Sequence, residues 1–115
     1  MGKLVFYRIS EQPFEIDVVR KALSGVPGIS FRGVELPGAL LWADVEGSDP
    51  PVAIRLNETC DAIWIDSDDV AGFEVASSFL RNLDENAVLA DLQGNWATVA
   101  PGMDAIHIRL LLTDQ

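Results

Sequence analysis

The densest run of chemically reactive side chains lies at residues 66–69, where three carboxylates and a hydroxyl follow the apolar segment Ile63-Trp64-Ile65. Carboxylate oxygens are the ligands that Mg²⁺ and Ca²⁺ prefer. A metal-assisted hydrolase or a small-ligand binder would use a set made of Glu58, Asp61, Asp66, Asp68 and Asp69. The spacing departs from an EF-hand loop, because alanine stands where that loop needs glycine. The other interpretation is that these acids mark the start of a helix, where negative charge is stabilising.

The eight residues from Ile63 to Val70 resemble the first motif of the haloacid-dehalogenase phosphohydrolases. In that family the first aspartate of the motif attacks phosphate and the second is the general acid and base. Phosphoryl transfer also requires a cation on the transferred group. Lys3 and Lys21 both precede the motif and no lysine follows it. The roles of the family are therefore not carried over to these aspartates.

Nucleophilic catalysis has little support in the sequence. His107 and Cys60 are the only residues of their types, so a cysteine–histidine pair would require these two to meet. Phosphate-binding glycine loops, serine elbows and zinc-ligand spacings do not occur in the sequence. We predict no cofactor. One cysteine cannot form an intramolecular disulfide, which favours the cytoplasm over a secreted disulfide scaffold.

In the predicted strands, the tryptophans alternate with apolar residues. Acidic residues lie two or four positions from them, and therefore have the same parity and lie on the same face of the strand. Trp42 has the parity of Asp44 and Glu46, and Trp64 has that of Asp66. Successive strand residues point to opposite faces of a sheet. If the tryptophan parity points away from the helices, aromatic anchors ringed by carboxylates form a surface for a cationic protein, and Trp96 extends it. The competing interpretation is that the indoles are buried in the core.

The charge is strongly negative and unevenly distributed. Eighteen acidic residues against eight basic ones give a net charge of −10. Residues 1–57 carry seven acids and six bases, whereas residues 58–115 carry eleven acids and only Arg81 and Arg109 as bases. A nucleic acid is an improbable ligand, because phosphate binding needs clustered cations. A cationic partner is the kind of molecule that this field attracts.

Length and periodicity predict a single domain over residues 1–115 of the α+β class. We expect a mainly antiparallel sheet with two helices packed on one face, in the order β-α-β-β-β-β-α-β-β-β. Hairpins are predicted around Pro37-Gly38 and around Gln93-Gly94-Asn95. Residues 106–112 alternate with period two and are expected to form a closing strand. The apolar runs are far shorter than the roughly 20 residues of a membrane helix, so we predict no membrane partner.

These observations lead to one preferred hypothesis and two alternatives. The preferred one is an acidic cytoplasmic binding module, comparable to inhibitor or immunity proteins, that docks a basic protein. Its predicted contact residues are Trp42, Asp44, Glu46, Trp64, Asp66, Asp68 and Asp69. The first alternative is the metal-assisted hydrolase or small-ligand binder described above. The second is a structural homo-oligomeric subunit, including a homodimer, that pairs through an exposed strand edge.

Overall fold

The computed structural model describes residues 2–32, 39–47 and 50–114, and over these residues the chain folds into seven strands and three helices. The strands are β1 (Leu4–Arg8), β2 (Ile29–Phe31), β3 (Ala39–Val45), β4 (Val52–Asn57), β5 (Ile63–Ile65), β6 (Ala87–Asp91) and β7 (Trp96–Val99). The helices are α1 (Ile16–Ser24), α2 (Val70–Leu83) and α3 (Ala105–Thr113). The α+β class and the antiparallel sheet are confirmed.

One antiparallel sheet holds the described strands in the order β2-β3-β4-β5-β1-β6-β7. The first strand therefore lies inside the sheet, with β5 on one side and β6 on the other. The helices cover one face of this sheet. Helix α2 packs between α1 and α3 and over β4 and β5, while α1 contacts β3 and α3 contacts β7.

The hydrophobic core lies between the sheet and the helices. Alternate strand residues are almost completely buried, as Leu4 and Phe6 in β1 and Ile63 and Ile65 in β5 illustrate. Phe6 meets Phe79 of α2 with 5.4 Å between the ring centroids. This alternation fixes which side chains point inward, so those between them lie on the face that the helices leave uncovered.

The last element differs from the predicted one: the expected closing strand over residues 106–112 is the helix α3, so three helices are present in the described chain instead of two. Asp104 caps this helix, because its Oδ1 accepts the backbone N–H of His107 at 2.8 Å. Ile108 and Leu112, one helical turn apart, are fully buried. The period of two in the sequence was therefore misleading, since the helix buries only Ile108 and Leu112, which are four positions apart.

The two predicted hairpins pair as expected. Strands β2 and β3 are joined in register from Ile29 opposite Val45, and β6 and β7 from Ala87 opposite Val99. The turn predicted at residues 37–38 lies outside the described residues. In the second hairpin Gly94 has a φ of 92°, a left-handed conformation that glycine adopts without strain. No helix in the described ranges is long and apolar enough to cross a membrane.

Candidate tryptophan face

The helix-free side of the sheet carries the three tryptophans of the chain, and we call this side the tryptophan face. Trp42 alternates with the buried Leu41 and Ala43, and Trp64 lies between two buried isoleucines. Trp96 has the parity of Thr98 and not of the buried Val99. The parity that the sequence associates with the tryptophans therefore points away from the helices.

The strand registers align these indoles in one row that crosses the sheet at right angles to the strands. Trp42 lies opposite Arg55, which lies opposite Trp64. The same row continues through Val5 and Ala90 to Trp96. Arg32 extends the row at the β2 edge, since its backbone N–H bonds to the carbonyl oxygen of Trp42. Cations and indoles thus alternate over half of the face, and small side chains separate the last two tryptophans.

Trp42 is held between two guanidinium groups. The Cζ of Arg32 lies 4.5 Å from the centroid of the Trp42 ring, and the Cζ of Arg55 lies 5.3 Å from it. Both distances are within the range of a cation–π contact. Asp44 accepts two hydrogen bonds from Arg32, at 2.9 and 3.0 Å, and this interaction raises the pKa of Arg32. The centre of the row is therefore ordered before any partner binds.

Two carboxylates beside the row, Asp44 and Asp66, are matched by cations. Asp66 Oδ1 lies 3.1 Å from the Nη2 of Arg55 and 3.3 Å from the Nζ of Lys3. Asp44 is paired with Arg32, as described above. The two carboxylates at the centre of the face are therefore both neutralised within the chain. The strand order is the reason, because it brings cations from β2, from β4 and from the start of β1 beside these two aspartates.

The aromatic side chains become more exposed toward the β7 edge. Trp42 and Trp64 are half-buried, whereas Tyr7 is 42% exposed and Trp96 is 62% exposed. Two donors at the centre, Nε1 of Trp42 and Nε of Arg55, are buried and find no acceptor in the described part of the chain. Leaving such a donor unsatisfied costs about 1–3 kcal/mol. The face thus offers exposed aromatic area toward its β7 edge, while these two donors lie beneath its surface.

Three of the predicted contact residues lie away from the row. Glu46 follows β3 and lines a groove on the helix side of the sheet. Asp68 lies against Gly2, where an added Cβ would meet its carboxylate. Asp69 is the N-cap residue of α2, although its side chain makes no capping bond and its N–H bonds to Ser67 Oγ at 3.2 Å. The structure brings together Trp42, Asp44, Trp64 and Asp66 only.

The acidic set proposed for a metal ion does not converge. Across the described residues, no group of three histidine, cysteine or acidic side chains is placed to hold a metal ion. Asp61 and Asp66 flank the two ends of β5, and at about 3.3 Å per strand residue they are roughly 17 Å apart. Asp61 accepts hydrogen bonds from Asn57 and Thr59, which lower its pKa, while Asp66 is committed to its two cations.

A hollow of about 420 Å³, which no feature of the sequence predicts, lies at one end of the tryptophan face. Its apolar wall is formed by Tyr7, Ile9 and Val88, and its carboxylates are Glu11 and Asp61. Arg8 also borders the hollow, but its Nε lies 3.0 Å from Glu85 Oε1, so its charge is already paired. The hollow is therefore negative and partly apolar, which suits a cation on an aliphatic stem.

Comparisons of the chain with protein-family models, with curated proteins and with solved structures gave no match. The chemistry of the tryptophan face is consequently the basis for a functional argument.

Proposed function

We propose that this chain is a binding protein that docks a basic protein partner through the tryptophan face, in the manner of inhibitor and immunity proteins. The alignment of three indoles in one row on a helix-free face is the observation that carries the proposal. Tryptophan, tyrosine and arginine are the residues most enriched among binding hot spots. The tryptophan face contains all three types, with Trp96 and Tyr7 as its most exposed aromatic side chains.

The side chains at the centre of the face are already held in one conformation, which favours tight docking. Ordering long side chains at an interface costs about 0.5–1.5 kcal/mol for each side chain that a partner immobilises. Arg32 and Arg55 are already stacked on Trp42 and held by aspartates. Much of that cost is therefore met within the free protein.

The rim and the whole molecule, rather than the centre, supply the preference for a basic partner. At the centre of the face, Lys3, Arg32 and Arg55 outnumber Asp44 and Asp66. The hollow at its end carries two carboxylates instead, and the chain as a whole has a net charge of −10. A field of this sign accelerates encounter with a cationic protein and slows encounter with an anionic one. We also propose a cytoplasmic location, supported by the single cysteine, Cys60.

Affinity capture followed by titration of the purified partner tests this function. Immobilised wild-type protein is expected to retain a basic protein from cells of the source at about 50 mM NaCl, with an association rate that falls by about tenfold or more at about 500 mM NaCl. Trp96→Ala should weaken binding by about tenfold or more, because truncating a hot-spot tryptophan costs about 2 kcal/mol. Leu110→Ala, at a side chain equally exposed but on α3, is the matched control and should leave the affinity unchanged.

Three outcomes would refute the proposal. One is the absence of any retained protein at either salt concentration. Another is a partner whose affinity depends equally on Trp96 and Leu110, since these residues lie on different surfaces of the molecule. The third is an acidic partner, which would contradict the role assigned to the net charge.

A further inference from the structure

A second site lies on the opposite side of the sheet, among the helices. It is a half-open groove of about 440 Å³ between α2, the start of α3 and the ends of β3 and β4. Its floor consists of Val26, Val45, Val52 and Val75, and we call it the valine groove. Volumes of about 300–1,000 Å³ with an apolar lining and a few polar groups are typical of small-ligand sites.

The walls of the valine groove are fixed by hydrogen bonds. The backbone N–H of Glu46 donates to the carbonyl oxygen of Gly28 at 2.9 Å. Gly28 has a φ of 81°, and a Cβ there would lie 2.8 Å from the Glu46 carbonyl oxygen, so only glycine allows this close approach. On the other side, Ser77 Oγ donates to the carbonyl oxygen of Met103 at 2.8 Å and joins α2 to the segment before α3. The groove is therefore formed in the free protein.

The charged groups at the rim have one predominant sign. Glu46, Glu74 and Asp104 border the groove, and Arg81 is the cation among the described lining residues. Asp104 uses its carboxylate to cap α3. Glu46 and Glu74 make no side-chain hydrogen bond or ion pair within the described chain. Two uncommitted carboxylates thus lie beside an apolar floor.

We propose that the valine groove binds a small aliphatic primary amine in its ammonium form. The alkyl chain lies on the valines, and the ammonium group donates to Glu46 and Glu74. Such a ligand satisfies both features of the lining, whereas an alkyl carboxylate would bury its tail equally well and be repelled at the rim. This site is separate from the tryptophan face, so it does not depend on the function proposed for that face.

The decisive experiment is a pair of NMR titrations of the full chain with hexylammonium and with hexanoate, at equal ionic strength and about pH 7, where an alkyl ammonium is protonated. Hexylammonium is expected to shift the amide signals of Val45, Val52 and Val75 in a saturable manner, and hexanoate is expected to leave them in place. Equal shifts with both compounds would overturn the proposal, because they would show apolar binding without recognition of charge. Absence of saturable shifts with hexylammonium would overturn it as well.

Charge variants sharpen the test because they change the affinity in opposite directions. Glu74→Gln should weaken hexylammonium binding by about two- to fivefold, and Arg81→Gln should strengthen it by a similar factor, as expected for partly exposed charge pairs. Asp17→Asn, an acid-to-amide change on α1 outside the groove, is the control and should have no effect. If Asp17→Asn and Glu74→Gln weaken binding equally, only the net charge matters and the site is disproved.

Discussion

At the scale of single residues, the tryptophan face shows how cross-strand neighbours decide the charge of a surface. The sequence predicts that Trp42 shares a face with Asp44, and that Trp64 shares one with Asp66. The structure adds Arg32 and Arg55, which lie on neighbouring strands and neutralise both aspartates. Parity along one strand is a local property and can be deduced from the chain. Partners across strands depend on the strand order, which a single sequence does not encode locally.

Asp91 provides a test of hydrogen bonding at one carboxylate. Burial alone would raise its pKa, but hydrogen bonds from Asn95 and from the backbone N–H of Gln93 outweigh burial, so its pKa is lowered. A carboxyl group with a lowered pKa stabilises the fold above its unfolded value of about 3.9, and this contribution is lost as the pH falls through the folded value. We expect Asp91→Asn to lower the urea midpoint at neutral pH and to match the wild type in strong acid.

For Asp91, the informative quantity is how the difference in urea midpoint between Asp91→Asn and the wild type changes with pH. Urea midpoints of both proteins should be measured from neutral pH down to acid. Asp17→Asn is the control, because Asp17 is 90% exposed and its ion pair with Arg20 spans 3.4 Å at the surface. A gap between Asp91→Asn and wild type that stays constant down to strong acid would show that ionisation of Asp91 does not contribute to stability.

At the scale of elements, α3 shows where periodicity fails as a guide. Its apolar residues occur at every second position from Ile106 to Leu112, a pattern typical of a strand. In the helix, Ile108 and Leu112 are buried, while Ile106 and Leu110 are 72% and 56% exposed. The better signal was local: Asp104 follows the turn at residues 101–102 and is a favourable N-cap. The other nine elements were predictable, because their apolar periodicity agrees with the turn and helix-stop residues that separate them.

Substitutions along α3 distinguish the helix from the strand that the sequence favours. Ile108→Ala and Leu112→Ala should each destabilise the protein by about 2–4 kcal/mol, since both remove buried aliphatic groups. Ile106→Gln and Leu110→Gln should change the stability by less than about 0.5 kcal/mol, because they alter exposed positions. Urea denaturation measures all four. Similar losses at the four positions would indicate a strand with one buried face, contrary to the structure.

At the scale of the whole molecule, the net charge and the fold class were predictable from the sequence, whereas the cavities were not. The net charge follows from composition alone, and the α+β class follows from the periodicity of the chain. The valine groove and the hollow beside Tyr7 were not predictable, because each is lined by segments distant along the chain that only the tertiary fold brings together. For the same reason Glu46, assigned by parity to the tryptophan surface, lines the valine groove instead.

The net charge also makes a prediction about self-association. With a charge of −10, copies of the chain repel one another near neutral pH, so light scattering there should give the monomer mass of 12.5 kDa. The mass should rise as the pH approaches the isoelectric point of about 4.2, where this repulsion disappears. A dimer mass at neutral pH would instead favour the alternative in which strand edges pair, at β2 or at β7.

The interior position of β1 has a consequence for synthesis of the protein on the ribosome. Val5 is synthesised well before its two neighbours in the sheet, Trp64 and Ala90. Until β5 and then β6 have been made, the corresponding sides of this apolar strand have no neighbour in the sheet. Closing such long loops is also entropically slow. Nascent chains that stall before residue 87 would therefore expose one side of β1 and be prone to aggregate.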